Sequence, residues 1–317
     1  MPGIVRRQKT TKNFKKTPLP VGKVEQIKTL DMEKKEVIPD NVSVSLPANR
    51  HKPPENINAF SFLIYGVRGI GKSTLANMFG KAFFMMFERD KTLQAYQKPI
   101  RYWTEVIEYI RLLLSSEHDF DVVVWDNLAH AYEMALSYAG QKGGFDHPGG
   151  RDDFGAAWNK VRTMFVTPVS RLLNSDLGMI GISHEKVETI RGLTGHNEHM
   201  RIRPDCSGQA YSYFGAEVEN IFYYHYWKGS KRWLQIVGDE MVEAKVKFDD
   251  HFFTENGERI HRIPMGNTVE EGYKNLLRAY NNQQKNSYAM TEDDKDERRS
   301  MMGRQGKKSF KKTNNKK

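Results

Sequence analysis

Apolar residues cluster in short runs between residues 59 and 281, separated by polar turns. Ala59–Tyr65 reads Ala-Phe-Ser-Phe-Leu-Ile-Tyr and predicts a buried strand that runs straight into a glycine-rich turn. Ser73–Arg89 places Leu75, Met78, Phe79, Ala82, Phe83 and Met86 at helical spacing, which predicts one long helix. Thr104–Ser115 has the same period through Val106, Ile107, Ile110, Leu113 and Leu114. Asp121–Trp125 is a second strand, Ala129–Tyr138 a helix, and Gln141–Gly155 a loop. Phe154–Asn174 predicts a long helix with Pro168 as a bend point. Leu177–Ser183 is a third buried strand, and 187–210 a polar, basic loop. Val218–Trp227 and Arg232–Val237 predict a hairpin, and Thr268–Asn281 a closing helix. Strands alternating with helices imply an α/β fold with a mainly parallel sheet and an antiparallel edge.

Outside that span the pattern fades. Residues 1–58 are polar with prolines at 18, 20, 39, 47, 53 and 54, and predict a largely disordered arm with one short strand at Val42–Leu46. Residues 282–317 predict a disordered charged tail, so the ordered domain is expected over 59–281. The net charge of +10 resides at the ends: residues 1–17 hold six basic groups and 301–317 hold seven, with no acid in either, so 18–300 carry a net of −3. Such ends suit a polyanion such as DNA or RNA, or an acidic partner. No run of 18 apolar residues predicts a membrane span, and no apolar segment follows the basic start as a secretory signal requires. One cysteine, Cys206, cannot make an internal disulfide, so a cytoplasmic setting is expected and a structural zinc site is not.

The chemistry is concentrated in Gly66-Val67-Arg68-Gly69-Ile70-Gly71-Lys72-Ser73-Thr74, which fits G-x-x-x-x-G-K-[ST] at every position. Glycines let successive amides converge on one oxyanion. Lys72 is expected on the β- and γ-phosphates, Ser73 on Mg²⁺ and Thr74 on an α-phosphate oxygen of ATP. A helix beginning near Ser73 adds the positive end of its dipole. Val122-Val123-Val124-Trp125-Asp126 is an apolar strand closed by an acid, which assigns Asp126, with Ser73, to the metal. The same Asp-Asn-Leu also has the form of a helix cap. Asn127 follows, where many AAA+ ATPases carry a catalytic Glu, and argues against that branch. Ser183-His184-Glu185-Lys186 ends the third strand, so Ser183 or His184 is placed to sense the γ-phosphate or the attacking water.

Phosphate loop, Val-rich strand with Asp126, a helix containing Trp158, Ile-Gly-Ile-Ser-His-Glu-Lys and then Pro204-Asp205-Cys206-Ser207-Gly208 follow in order. Over residues 60–240 this resembles the phage-encoded P-loop ATPases with a RecA-like core, some of which act in single-strand annealing or recombination. The resemblance implies a RecA-like P-loop core with a mainly parallel sheet flanked by helices. It also implies a catalytic carboxylate after another strand; Glu105 lies at about that interval, and Glu185 beside His184 competes with it. Loops 139–155 and 187–209 are implied to line a single-stranded DNA channel, with Arg191, Arg201 and Arg203 on phosphates and Tyr211 and Tyr213 as stacking platforms. Head-to-tail assembly into a ring or filament is implied too, with Lys228, Lys231 or Arg232 reaching a neighbour's ATP. A single-strand-binding or replication protein is a further partner, and no membrane is. The function expected is thus ATP binding and hydrolysis coupled to single-stranded DNA in phage recombination, repair or replication. The alternatives are a P-loop kinase acting on a nucleotide or other small acceptor, and a nucleotide-dependent assembly or packaging component.

Overall fold

The computed structural model describes residues 46–150, 155–191, 198–206, 208–228, 230–300 and 302. A separate N-terminal unit ends at Lys52, and of it only the exposed residues 46–52 are described. Of the arm expected over 1–58, residues 1–45, and with them all of its strand at Val42–Leu46 but Leu46, lie outside the described residues, while 53–58 fall in the second unit with Ile57 buried.

From Pro53 onward the chain forms one unit. A 3-10 turn at Ile57–Ala59 leads into β1 (Ser61–Gly66), α1 (Lys72–Ala76), β2 (Ala82–Met86), β3 (Tyr96–Pro99), α2 (Trp103–Ser115) and β4 (Val122–Asp126). Next come α3 (Leu128–Gly143), α4 (Ala156–Leu173), β5 (Gly178–Arg191), β6 (Glu198–Pro204) and α5 (Gly208–Glu217). The chain continues through β7 (Asn220–Trp227), β8 (Lys231–Gln235), β9 (Lys245–Val246), β10 (Arg262–Pro264) and α6 (Val269–Tyr280).

The sheet order is β10-β8-β7-β1-β5-β4-β2-β3. β7, β1, β5, β4, β2 and β3 run parallel, while β8 and β10 add antiparallel edge pairings. The mainly parallel α/β fold with an antiparallel edge is therefore present as expected. Each central strand is apolar on both faces because both are covered. On β1, Leu63 and Tyr65 join a layer with Trp103, Trp125, Phe165 and Phe214 from the α2–α5 side. Phe62 and Ile64 point the other way, among Phe79, Phe84, Phe222, Leu276 and Tyr280 beside α1 and α6. Among the described residues no helix is long and apolar enough to cross a membrane.

Three expectations are corrected. Ser73–Arg89 is not one helix: α1 stops at Ala76, and β2 occupies Ala82–Met86 with every residue buried. The run Ala-Phe-Phe-Met-Met is apolar on all sides, as a strand between two neighbours in a covered sheet must be, and Gly80 at φ +55 makes the break. Residues 187–204 are not a simple loop, because β5 continues to Arg191 and β6 returns antiparallel along it, with Glu185 opposite Pro204 and Arg191 opposite Glu198.

The boundary expected at 282 also moves. His261 and Arg262 donate backbone hydrogen bonds to the Ser287 carbonyl, and residues 292–300 are helical. They bury Arg298 (4% exposed), which donates to Gln235 Oε1 at 2.9 Å and lies over the Trp227 ring. Charge counting misjudged this stretch, since a buried, partnered arginine looks in sequence like any exposed one. If 292–300 belongs to the body, Arg298→Ala strands Gln235 and costs about 1–3 kcal/mol, read as a lower denaturant midpoint. An unchanged midpoint would return this segment to the tail.

Candidate functional site

β1 delivers the chain to Gly66 in the centre of the sheet, with His184 of β5 and Tyr224 of β7 as its register partners. Gly66 has φ +154, and a Cβ there would sit 1.8 Å from the Tyr224 carbonyl oxygen, so no side chain fits. The loop then turns through Gly69 (φ +76) and Gly71 (φ +102), conformations that glycine adopts at little cost. Ile70, 2% exposed, pins the loop to the core beneath α1. Because α1 has only five residues, the loop amides and Lys72 dominate this site rather than the dipole of a long helix.

Lys72 is folded back into the loop it belongs to. Its Nζ donates to the carbonyls of Gly66 (2.9 Å) and Val67 (2.8 Å). Burial lowers its pKa to about 8, against the opposing pull of Asp126, Glu185 and Glu88. Among the described residues this buried ammonium is held by neutral carbonyls with no carboxylate in ion-pair contact, which suits it to an incoming phosphate.

Ser73 Oγ donates to Asp126 Oδ2 at 2.5 Å, so the side chain from the start of α1 and the acid at the end of β4 meet at the carboxyl edge of the sheet. Asp126 is 8% exposed, and burial raises its pKa despite the Ser73 hydrogen bond and Lys72. A hydroxyl and a buried carboxylate are both hard oxygen donors, and this pair would fit Mg²⁺.

These groups line one open pocket of about 310 Å³ with Gly69, Gly71, Thr74, Met86, Glu88, Arg89, Asp90, Ile182 and His184. His184 is brought there by the β1–β5 register, from within β5 and not from a strand end. Burial, then Lys72, lowers its pKa, so the ring is neutral at pH 7. Ser183 is fully buried, and its hydroxyl turns back onto the His184 carbonyl at 3.1 Å.

Glu105 is corrected. Its carboxylate accepts the backbone N–H groups of Arg101 (2.6 Å) and Tyr102 (3.1 Å) and so caps α2, away from the pocket. Glu185 is absent from the pocket lining as well; partial burial raises its pKa against the lowering effect of a hydrogen bond with Tyr223. Two further carboxylates do enter beside Asp126: Glu88, two residues beyond β2, and Asp90, whose Oδ1 is engaged by the Thr92 backbone N–H and hydroxyl at 2.7 Å. Asn127 Nδ2 donates to Glu88 Oε2 at 2.7 Å, and His184 Nε2 lies 3.5 Å from the same oxygen. Reading 82–86 as helix hid Glu88; reading it as a covered strand places a carboxylate at a strand end, where sheet ligands gather.

The expected nucleic-acid residues fare differently. Arg201 pairs with Glu243 at 2.9 Å, and Arg203 pairs with Glu188 at 2.7 Å while covering the Tyr211 ring. Both are held within the protein rather than presented to a phosphate backbone. The Arg191 side chain lies outside the described residues. Of the cations considered for a neighbour's site, Lys228 pairs with Asp294 and Arg232 donates to the Gly266 carbonyl, while Lys231 is exposed.

A family model described as AAA domain matches residues 58–248. No curated protein matches. Among solved structures, the crystal structure of the RadB recombinase is similar at 14% identity and TM-score 0.32, over 56% of this chain and 80% of that one.

The Lys72 environment predicts a pH dependence. Its folded pKa of about 8 lies below the unfolded value of 10.5, so between them the unfolded chain holds more of this proton. The unliganded protein therefore gains stability relative to Lys72→Met as pH rises from about 8 to about 10.5. Denaturation of both proteins at pH 7, 9 and 10 checks this; a constant difference would mean Lys72 is not buried as described.

Proposed function

Because this chain belongs to the AAA domain family, we propose that it binds ATP with Mg²⁺ at the 66–74 loop and hydrolyses it, using the cycle to change its hold on single-stranded DNA. The observation that carries the reading is the convergence of Lys72, Ser73, Asp126, His184 and Glu88 on one pocket from four separate stretches of chain. Membership stands although Asn127 rather than Glu follows Asp126, so that residue was no guide to the family.

In this reading the loop amides and Lys72 take the phosphate charge, and Ser73 and Asp126 hold the metal. Mg²⁺, when bound, supplies positive charge to the transferring phosphoryl group. Glu88 is the general base: water loses its proton to the Glu88 carboxylate as its oxygen bonds to the γ-phosphorus and the bond to the β-phosphate oxygen breaks. His184, neutral and at the point where β5 leaves its parallel pairing with β1, hydrogen-bonds the γ-phosphate and registers its departure. The β5–β6 ladder begins at the next residue, Glu185, which links the pocket to a distal element.

The DNA part draws on the basic segments 1–17 and 301–317, whose charge suits counterion release from a nucleic acid. With Arg201 and Arg203 already paired, it places no weight on them. Head-to-tail assembly, a single-strand-binding or replication partner, a role in phage recombination, repair or replication, and a cytoplasmic setting belong to the same reading.

ATP turnover with and without single-stranded DNA tests it. Lys72→Ala loses ATP binding, and Glu88→Gln keeps binding while kcat falls by about 100-fold or more. DNA stimulates turnover, and ATP shifts DNA affinity. Wild-type-like turnover by Glu88→Gln would remove the base assignment. Turnover and DNA affinity that ignore each other would remove the DNA part and leave the ATP site standing.

A further inference from the structure

Glu88 leaves a strand end on an irregular segment, and its side chain is 44% exposed. A carboxylate in that position has several rotamers open to it, and only some face a water beside the γ-phosphate. Something must select among them.

Asn127 is built for that selection. It is 1% exposed, directly after Asp126 and at the N-cap of α3. Its side-chain oxygen accepts the His130 backbone N–H at 3.0 Å, the bond that caps the helix. With the oxygen engaged there, the amide nitrogen must face the opposite way, and it donates to Glu88 Oε2 at 2.7 Å. The cap thus sets the amide orientation, and the amide sets the carboxylate. His130 Nδ1, at 3.9 Å, and His184 Nε2, at 3.5 Å, flank the same oxygen without holding it as closely. All three of these contacts are to Oε2 and none is to the second Glu88 oxygen.

We propose that Asn127 is the positioning residue for Glu88: its capped amide holds the base in the rotamer that meets the attacking water. The inference rests on the reading of Glu88 as the base. It also gives a reason for Asn at this position. An aspartate could cap α3 equally well but would offer no donor and would repel Glu88, whereas an alanine would serve neither bond.

Asn127→Ser separates the two bonds, since serine is a good N-cap but cannot reach Glu88 with a donor of that geometry. Full-length protein carrying Asn127→Ser, Asn127→Asp, Glu88→Gln and the Asn127→Ser/Glu88→Gln pair is compared with wild type by ATP turnover, fluorescent ATP-analogue binding and thermal melting. Asn127→Ser is expected to lower kcat by about 10-fold or more with KM, analogue affinity and melting temperature near wild type. Asn127→Asp is expected to lower kcat at least as far. The double variant is expected to turn over no more slowly than Glu88→Gln alone, because the amide acts only through that carboxylate.

If Asn127→Ser keeps wild-type kcat while Glu88→Gln loses it, the positioning role is wrong and the base assignment survives. If Glu88→Gln keeps wild-type kcat, both fall. A kcat loss that persists in full in the Glu88→Gln background would show that Asn127 acts elsewhere. A loss that tracks a lowered melting temperature in both Asn127 variants would reduce it to a helix cap.

Discussion

A lysine ammonium enclosed by its own backbone is the interaction around which this molecule is arranged. Lys72 Nζ is held by the Gly66 and Val67 carbonyls, and burial has already taken its pKa down to about 8. Keeping a cation there requires the chain to turn back on itself at the end of a central strand, and the Gly66 backbone must press against Tyr224 with no side chain between them. That in turn requires β7 on one flank of β1 and β5 on the other. Once β5 stands between β1 and β4, His184 and Asp126 are brought to the same edge. The fold can be read as the set of strand neighbours that makes this enclosure tenable.

How much of this was legible in the sequence depended on whether a residue's role follows from its immediate neighbours. Gly66–Thr74 and Asp126 were legible because loop, acid and flanking strands are contiguous. The position of His184 was legible because the parallel pairing of β5 stops there, at the sheet's carboxyl edge, although the strand itself runs on to Arg191. Glu88 was hidden, since Phe and Met in a doubly covered strand satisfy a helical period as readily as a strand's, and chain distance alone pointed to Glu105. Arg201 and Arg203 show the opposite failure. Their charge was plain, but their partners Glu243 and Glu188 lie on another segment and on the facing hairpin strand, and nothing local announces such pairs.

Asn127 bears on how the AAA domain match should be understood. In sequence, Asn127 in place of a glutamate after Asp126 argued against the AAA+ branch. In the folded chain the position is occupied by an amide that touches a glutamate two residues beyond the adjacent strand, β2 lying directly against β4. A carboxylate sits in the pocket either way; what differs is the strand that brings it. Patterns defined along one strand cannot detect this exchange, because the two residues stand 39 positions apart.

The antiparallel ladder that grows from His184 has a mechanical consequence. From the Glu185–Pro204 pair to the Arg191–Glu198 pair it is seven residues long, an arm of roughly 23 Å. Cross-strand hydrogen bonds make such a ribbon stiff along its length, so a disturbance at its root is transmitted as rotation instead of being absorbed locally. A tilt of about 10° at the root would sweep the far end through about 4 Å, close to the spacing between neighbouring strands.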